Sequence, residues 1–174
     1  MEDINHCFWI IPFIGLVICI IAIFTPAAFF ENQIWNHTIY VWIWGYYIDK
    51  IVYVYDQSVS INSQFYSHPL QLLPSLIASS IIIISIIIIA FSIYKHRIHY
   101  RDGKIKIIQL LVPGILIIIF TIIWMLSMEI AELSIYDLRM WNRYIPNFGV
   151  IGMFLGVGFI IVGFLVIKKF GPRG

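Results

Sequence analysis

Four apolar runs, residues 7–28, 74–93, 107–128 and 145–167, dominate a chain of 174 residues, and none of them contains Asp, Glu, Lys or Arg. Each is close to the roughly 20 residues that a helix needs to cross the hydrocarbon of a bilayer. Lipid offers no hydrogen bonds, so a crossing segment must satisfy its own backbone, which favours helices. Composition argues against a soluble globule: 61% of residues are hydrophobic and 11% charged, with a mean hydropathy of +0.92. The expected fold class is a membrane all-α bundle of four transmembrane helices, one domain over residues 1–174.

The charges orient it. Lys95, Arg97, Arg101, Lys104 and Lys106 crowd the link between the second and third runs, and Lys168, Lys169 and Arg173 follow the fourth. The opposite side carries only Lys50, Arg139 and Arg143. By the positive-inside rule both termini are expected in the cytoplasm, in a multi-pass protein of the cell (plasma) membrane. The N-terminal Met1-Glu-Asp is acidic, unlike the basic start of a cleavable leader, so the first run is expected to stay as an anchor. Cys7 and Cys19 both fall in that run and read as small apolar fillers rather than a disulfide.

Proline and glycine punctuate the runs. Pro26 reads as the terminator of the first and Pro74 as the first turn of the second, while Pro12 and Pro113-Gly114 mark bends. In the fourth run Gly149, Gly152, Gly156 and Gly163 recur at helical spacing, and Gly152-x-x-x-Gly156 is a small-x-x-x-small pattern. Such a stripe lets helices approach closely, either inside one bundle or between copies.

The segment 31–68 between the first two runs is too long for a connector. It is rich in β-branched and aromatic residues over 38–48, 51–55 and 59–61, which read as strands. Asp49-Lys50 is the candidate first turn, and a second reversal is expected around Asp56-Gln57-Ser58. A small antiparallel β-sheet in the first extracellular loop is therefore expected. The candidate interaction surface is Trp35, Tyr40, Trp42, Trp44, Tyr46, Tyr47, Tyr53 and Tyr55, since exposed aromatics suit protein interfaces and membrane boundaries alike. The same composition also suits a sheet face buried on helix ends. Asn36-His37-Thr38 is a glycosylation sequon on the expected outer side.

Four spans, cytoplasmic termini, an outer sheet after the first span and a short second outer loop together resemble the claudin family and its peripheral-myelin-protein relatives. Trp44 in Tyr40-Val-Trp-Ile-Trp44 resembles the family's signature tryptophan, and the approach Tyr66-Ser-His-Pro-Leu-Gln to the second span is similar in type. The two outer-loop cysteines of that family have no counterpart here. The resemblance implies a structural or adhesive role.

Chemistry is sparse. Glu129 and Glu132 share a helix face at the end of the third run, with Asp137 and His68 as further candidates, but their spacing matches no metal motif and a solvated helix end paired with Arg139 or Arg143 is the expectation. His96 and His99 lie among basic residues and suit anionic headgroups. No phosphate loop, His-Glu-x-x-His or Gly-x-Ser-x-Gly is present, so no enzyme activity and no cofactor are expected. The expected partners are the lipid bilayer and either further copies of the chain or other membrane proteins, with no nucleic acid. The alternative is an accessory subunit of a larger respiratory or transport complex whose chemistry resides in its partners.

Overall fold

The computed structural model describes residues 9–32, 34, 36–53, 58–98 and 108–170, apart from the side chains of 96–98, 108 and 168–170. In chain order these form α1 (Ile10–Phe24), β1 (Ala28–Asn32), β2 (His37–Val41), β3 (Tyr46–Val52), β4 (Val59–Phe65), α2 (Pro69–Ile98), α3 (Ile108–Tyr136), a 3₁₀ turn (Met140–Asn142), β5 (Ile145–Pro146) and α4 (Phe148–Phe170). Three helices carry stretches long and apolar enough to cross a membrane: Pro69–Lys95, Gln109–Tyr136 and Phe148–Ile167.

The helix ends depart from the apolar runs for local reasons. α1 has only 15 residues. Its last turn is closed by Thr25, whose Oγ1 and backbone N–H both donate to the Ala22 carbonyl at 3.0 and 3.3 Å, and Pro26 follows. Ala28, expected inside the first span, already pairs with Val41 in the sheet. α2 starts a turn before Pro74, because His68 caps it: its Nδ1 accepts from the Leu70 N–H at 3.3 Å and its carbonyl accepts from Gln71 and Leu72. Pro74 thus lies inside the helix. α3 runs past 128 to Tyr136 and stops where Asp137 turns left-handed, φ 54°.

The helices pair as α1 with α4 and α2 with α3. The glycine stripe of α4 faces α1 in antiparallel order, with Gly149 at Ala27, Gly152 at Ala22, Gly156 at Cys19 and Gly15, and Gly163 at Pro12. A Cβ at Gly156 would stand 2.7 Å from the Gly15 carbonyl oxygen, and one at Gly149 would stand 2.7 Å from the Ala27 Cα. Here the backbones themselves touch. The other seam is filled by side chains, among them Trp124 and Met128 of α3, both buried and both reaching Ser75 of α2.

The sheet has the order β4-β3-β2-β1-β5 with antiparallel pairing. The strand expected over 38–48 is broken in two by a turn at 42–45, where Gly45 takes φ +83° and lies against Leu72 and Ser75 of α2. A side chain there would meet both strain and Ser75, so glycine sets the turn and docks it. Asp49 and Lys50, expected at a turn, are mid-strand in β3 opposite Ile39 and Thr38. β1 and β5 were not expected: β1 starts on the last residue of the first apolar run and crosses into the loop, and β5 lies inside the fourth run, whose length masks a strand. Trp35 and the segment 54–57, with Tyr55 and the second reversal's Asp56-Gln57, lie outside the described residues.

Candidate functional site at the junction of sheet and helices

The register divides the sheet into two faces. Phe30, Ile39, Val41, Tyr47 and Asp49 point toward the helix ends, whereas Phe29, Tyr40, Tyr46, Ile48, Lys50, Ile61 and Phe65 point away. On the inner face Tyr47 stacks on Tyr66 at 5.3 Å and takes a hydrogen bond from Gln64 Nε2. His37 and Asp49 meet at 2.7 Å across β2 and β3, an ion pair when His37 is protonated. Phe30 packs on Tyr144 at 5.6 Å and carries the Arg143 guanidinium 4.9 Å over its ring.

The predicted aromatic surface is divided accordingly. Tyr40 and Tyr53 are exposed. Trp42 and Trp44 are half-buried and occupied: Trp42 Nε1 donates to the Phe24 carbonyl at 2.9 Å and Trp44 Nε1 to the Ile23 carbonyl at 3.1 Å. Those carbonyls end α1 and have no partner within the helix. Two indoles from the sheet therefore complete the hydrogen bonding of a helix some 20 residues earlier in the chain. Tyr46 stacks on Trp44.

Beneath the sheet lies a buried polar chain that crosses from α2 to α3. Gln71 Nε2 donates to Glu132 Oε1 at 2.9 Å, Ser75 Oγ donates to the Gln71 carbonyl at 2.8 Å, and Trp124 Nε1 donates to Ser75 Oγ at 3.0 Å. Glu132 keeps 7% of its surface, Gln71 4%, and Ser75 and Trp124 none. The solvated helix end expected for Glu132 is thus corrected: α3 continues beyond the expected span, and the carboxylate is buried on the Gln71 amide, with the expected Arg143 charge still near enough to act on it. Glu129 is half-buried and its Oε2 accepts the Trp141 backbone N–H at 3.1 Å, so it holds the 3₁₀ turn. His68 is engaged in the start of α2, and Asp137 is exposed at the end of α3. Among the described residues no group of three or more His, Cys, Asp or Glu is placed to hold a metal.

Tyr66 and Tyr144 adjoin this chain. Burial pushes the Tyr66 phenol well above its ordinary range, with the charges of Tyr144, Glu132, Tyr47 and Tyr136 acting in the same direction. Burial does the same to Tyr144. Both stay neutral over the physiological range. The arrangement clamps helix to helix and sheet to helix; it brings no nucleophile to a base. Gln71, Ser75 and Trp124 were not singled out from the sequence, although a lone amide and a mid-run tryptophan are signals, since each needs a hydrogen-bond partner when buried.

Comparison with protein-family models and with curated proteins finds no match to this chain.

Proposed function

We propose that the protein is a non-enzymatic, four-span membrane protein of the cell membrane, claudin-like in architecture, that associates through the outward face of its sheet. The observation that carries the reading is that face. Tyr40, Val59, Ile61 and Phe65 expose 37, 51, 64 and 51% of their surfaces on a sheet anchored to helices, and exposed apolar residues so held mark interaction surfaces.

The fourth span in this reading is α1. At 1.5 Å per residue it is about 22 Å long, short of the ~30 Å hydrocarbon thickness. Its close antiparallel seating on α4, from Pro12 at Gly163 to Ala27 at Gly149, supports placing it at the same depth as an apolar span. The basic asymmetry supports cytoplasmic termini and an outer sheet.

Purification in mild detergent with native mass analysis tests the function. Assemblies of this chain alone that weaken with Tyr40→Ser plus Ile61→Ser support it. A fixed set of unlike subunits favours the accessory-subunit reading, and a monomer indifferent to those substitutions removes the proposed surface.

A further inference from the structure

The sheet is not uniform from end to end. Where β2 turns into β3, Trp44 stacks on Tyr46 at 5.2 Å, and Phe65 meets the two rings edge-on at 5.8 and 5.4 Å. Trp42 joins them, 5.7 Å from Tyr46. This end of the strands carries no Asp, Glu, Lys, Arg or His; His68 comes three residues after Phe65, where it caps α2. Of the charges of the sheet, Glu31 and His37 lie at the other end and Asp49 and Lys50 at mid-strand, none beside the ring cluster. Six residue steps of β4 separate Phe65 from Val59, about 20 Å at the strand rise.

The uncharged end continues the apolar exterior of the helices. Phe24 at the end of α1 is 74% exposed, and Leu70 and Leu73 in the first turns of α2 are 50 and 56% exposed. Both indole N–H groups of the cluster are already bonded to α1 carbonyls. A buried donor without a partner is costly, but the two indoles and the Phe65 ring carry none, so they enter a dry surrounding without losing hydrogen bonds, and the Tyr46 hydroxyl has the headgroup side of the boundary to bond to. A protein partner would leave them no directional contact to make. The cluster lies at the C-terminal end of α1, a helix about 8 Å shorter than the hydrocarbon.

We propose that this aromatic end of the sheet is immersed in the bilayer, with the rings of Trp42, Trp44, Tyr46 and Phe65 against lipid at the level of the acyl–headgroup boundary, while the Val59 end stands in water. The inference rests on the helices being membrane-embedded. It narrows the associating surface to the far part of the outward face, around Ile61, Lys50 and Val59. Aromatic rings with a satisfied polar tip suit this boundary, and the two indoles hold the sheet to α1 at that depth.

The test uses the full chain with Cys7→Ala and Cys19→Ala, reconstituted in phosphatidylcholine vesicles, carrying one nitroxide at Phe65→Cys, Ile61→Cys or Ile84→Cys. Collision with oxygen reports lipid, and collision with a soluble nickel chelate reports water. The expected result is an oxygen-to-nickel ratio several-fold higher at Phe65 than at Ile61, approaching that of Ile84 in α2. Equal ratios at Phe65 and Ile61 with Ile84 protected would overturn the proposal alone. Nickel access at Ile84 would overturn the membrane reading and the proposal with it. Should Phe65→Cys fail to insert, Ser63→Cys, exposed on the same face, reads the same gradient, and a value no drier than Ile61 overturns the proposal.

Discussion

The seam between α1 and α4 is closed by missing side chains, and the seam between α2 and α3 by hydrogen bonds. At the first, Gly15, Gly149, Gly156 and Gly163 bring backbone against backbone or against Pro12. At the second, Gln71, Ser75, Trp124 and Glu132 link one helix to the other. Apolar side chains gain little by leaving lipid for one another, so helix association in a bilayer relies on close packing and on polar links. This chain uses each device once, on different helix pairs. The contrast implies different sensitivities: the glycine seam should fail on any added volume, and the polar seam on any unpaired group.

The strongest way to break the contrast is Gly156→Leu. Overpacking costs typically 1–3 kcal/mol, occasionally more; the Cys19 thiol can rotate away, but the Gly15 carbonyl oxygen and the Cys19 backbone N stand 2.7 and 3.1 Å from a Cβ there and cannot, so a loss of about 3 kcal/mol is expected in detergent unfolding. Glu132→Ala comes next: it strands the Gln71 amide in a buried site, at about 2 kcal/mol. Glu132→Gln, which preserves a carbonyl acceptor for Gln71, should recover most of that loss. If Gln and Ala behave alike, the hydrogen bond is not what joins α2 to α3.

Ser75→Ala removes the acceptor of the Trp124 N–H and is expected to cost about 1 kcal/mol, given that polar links between membrane helices measure ~0.6 and at most ~1.7 kcal/mol. It should also alter Trp124 emission. Gly158→Ala is the control for the glycine seam. A Cβ there meets nothing within 4 Å, so its stability should be unchanged or raised by up to about 1 kcal/mol through helix propensity. Loss at Gly158 comparable to that at Gly156 would show that contact with α1 does not explain the stripe.

The smallest effect belongs to the sheet junction. The Tyr66 phenol, an acid held neutral by burial, has a folded pKa above the unfolded value. Its contribution to stability is complete below the ordinary phenol range of about 10 and is lost as pH rises through the folded value. Alkaline unfolding should therefore set in above that range, and Tyr66→Phe should shift its onset upward. Absorbance titration at the phenolate band, with Tyr66 ionising after the exposed tyrosines, checks the order.

Much of this arrangement is written locally. Runs without charge specify apolar helices because hydrophobicity is counted along consecutive residues, and the stripe in α4 is visible because helical spacing is periodic. A three-strand region in 31–68 is legible from β-branched and aromatic density. Strand ends are not: β1 straddles the end of an apolar run, and the break at 42–45 depends on Gly45 fitting against Ser75.

What faces the glycine stripe, and what the buried polar groups bind, could be decided only by the packed structure. Gln71 and Glu132 stand 61 positions apart, Ser75 and Trp124 stand 49 apart, and Trp44 reaches a carbonyl 21 positions earlier. No local pattern relates such pairs. A glutamate at the end of a helix reads as solvated until a second helix supplies an amide, and an aromatic strand reads as a surface until its indoles are found on the carbonyls of α1. Length and periodicity are properties of neighbours in sequence, whereas hydrogen-bond satisfaction is a property of neighbours in space.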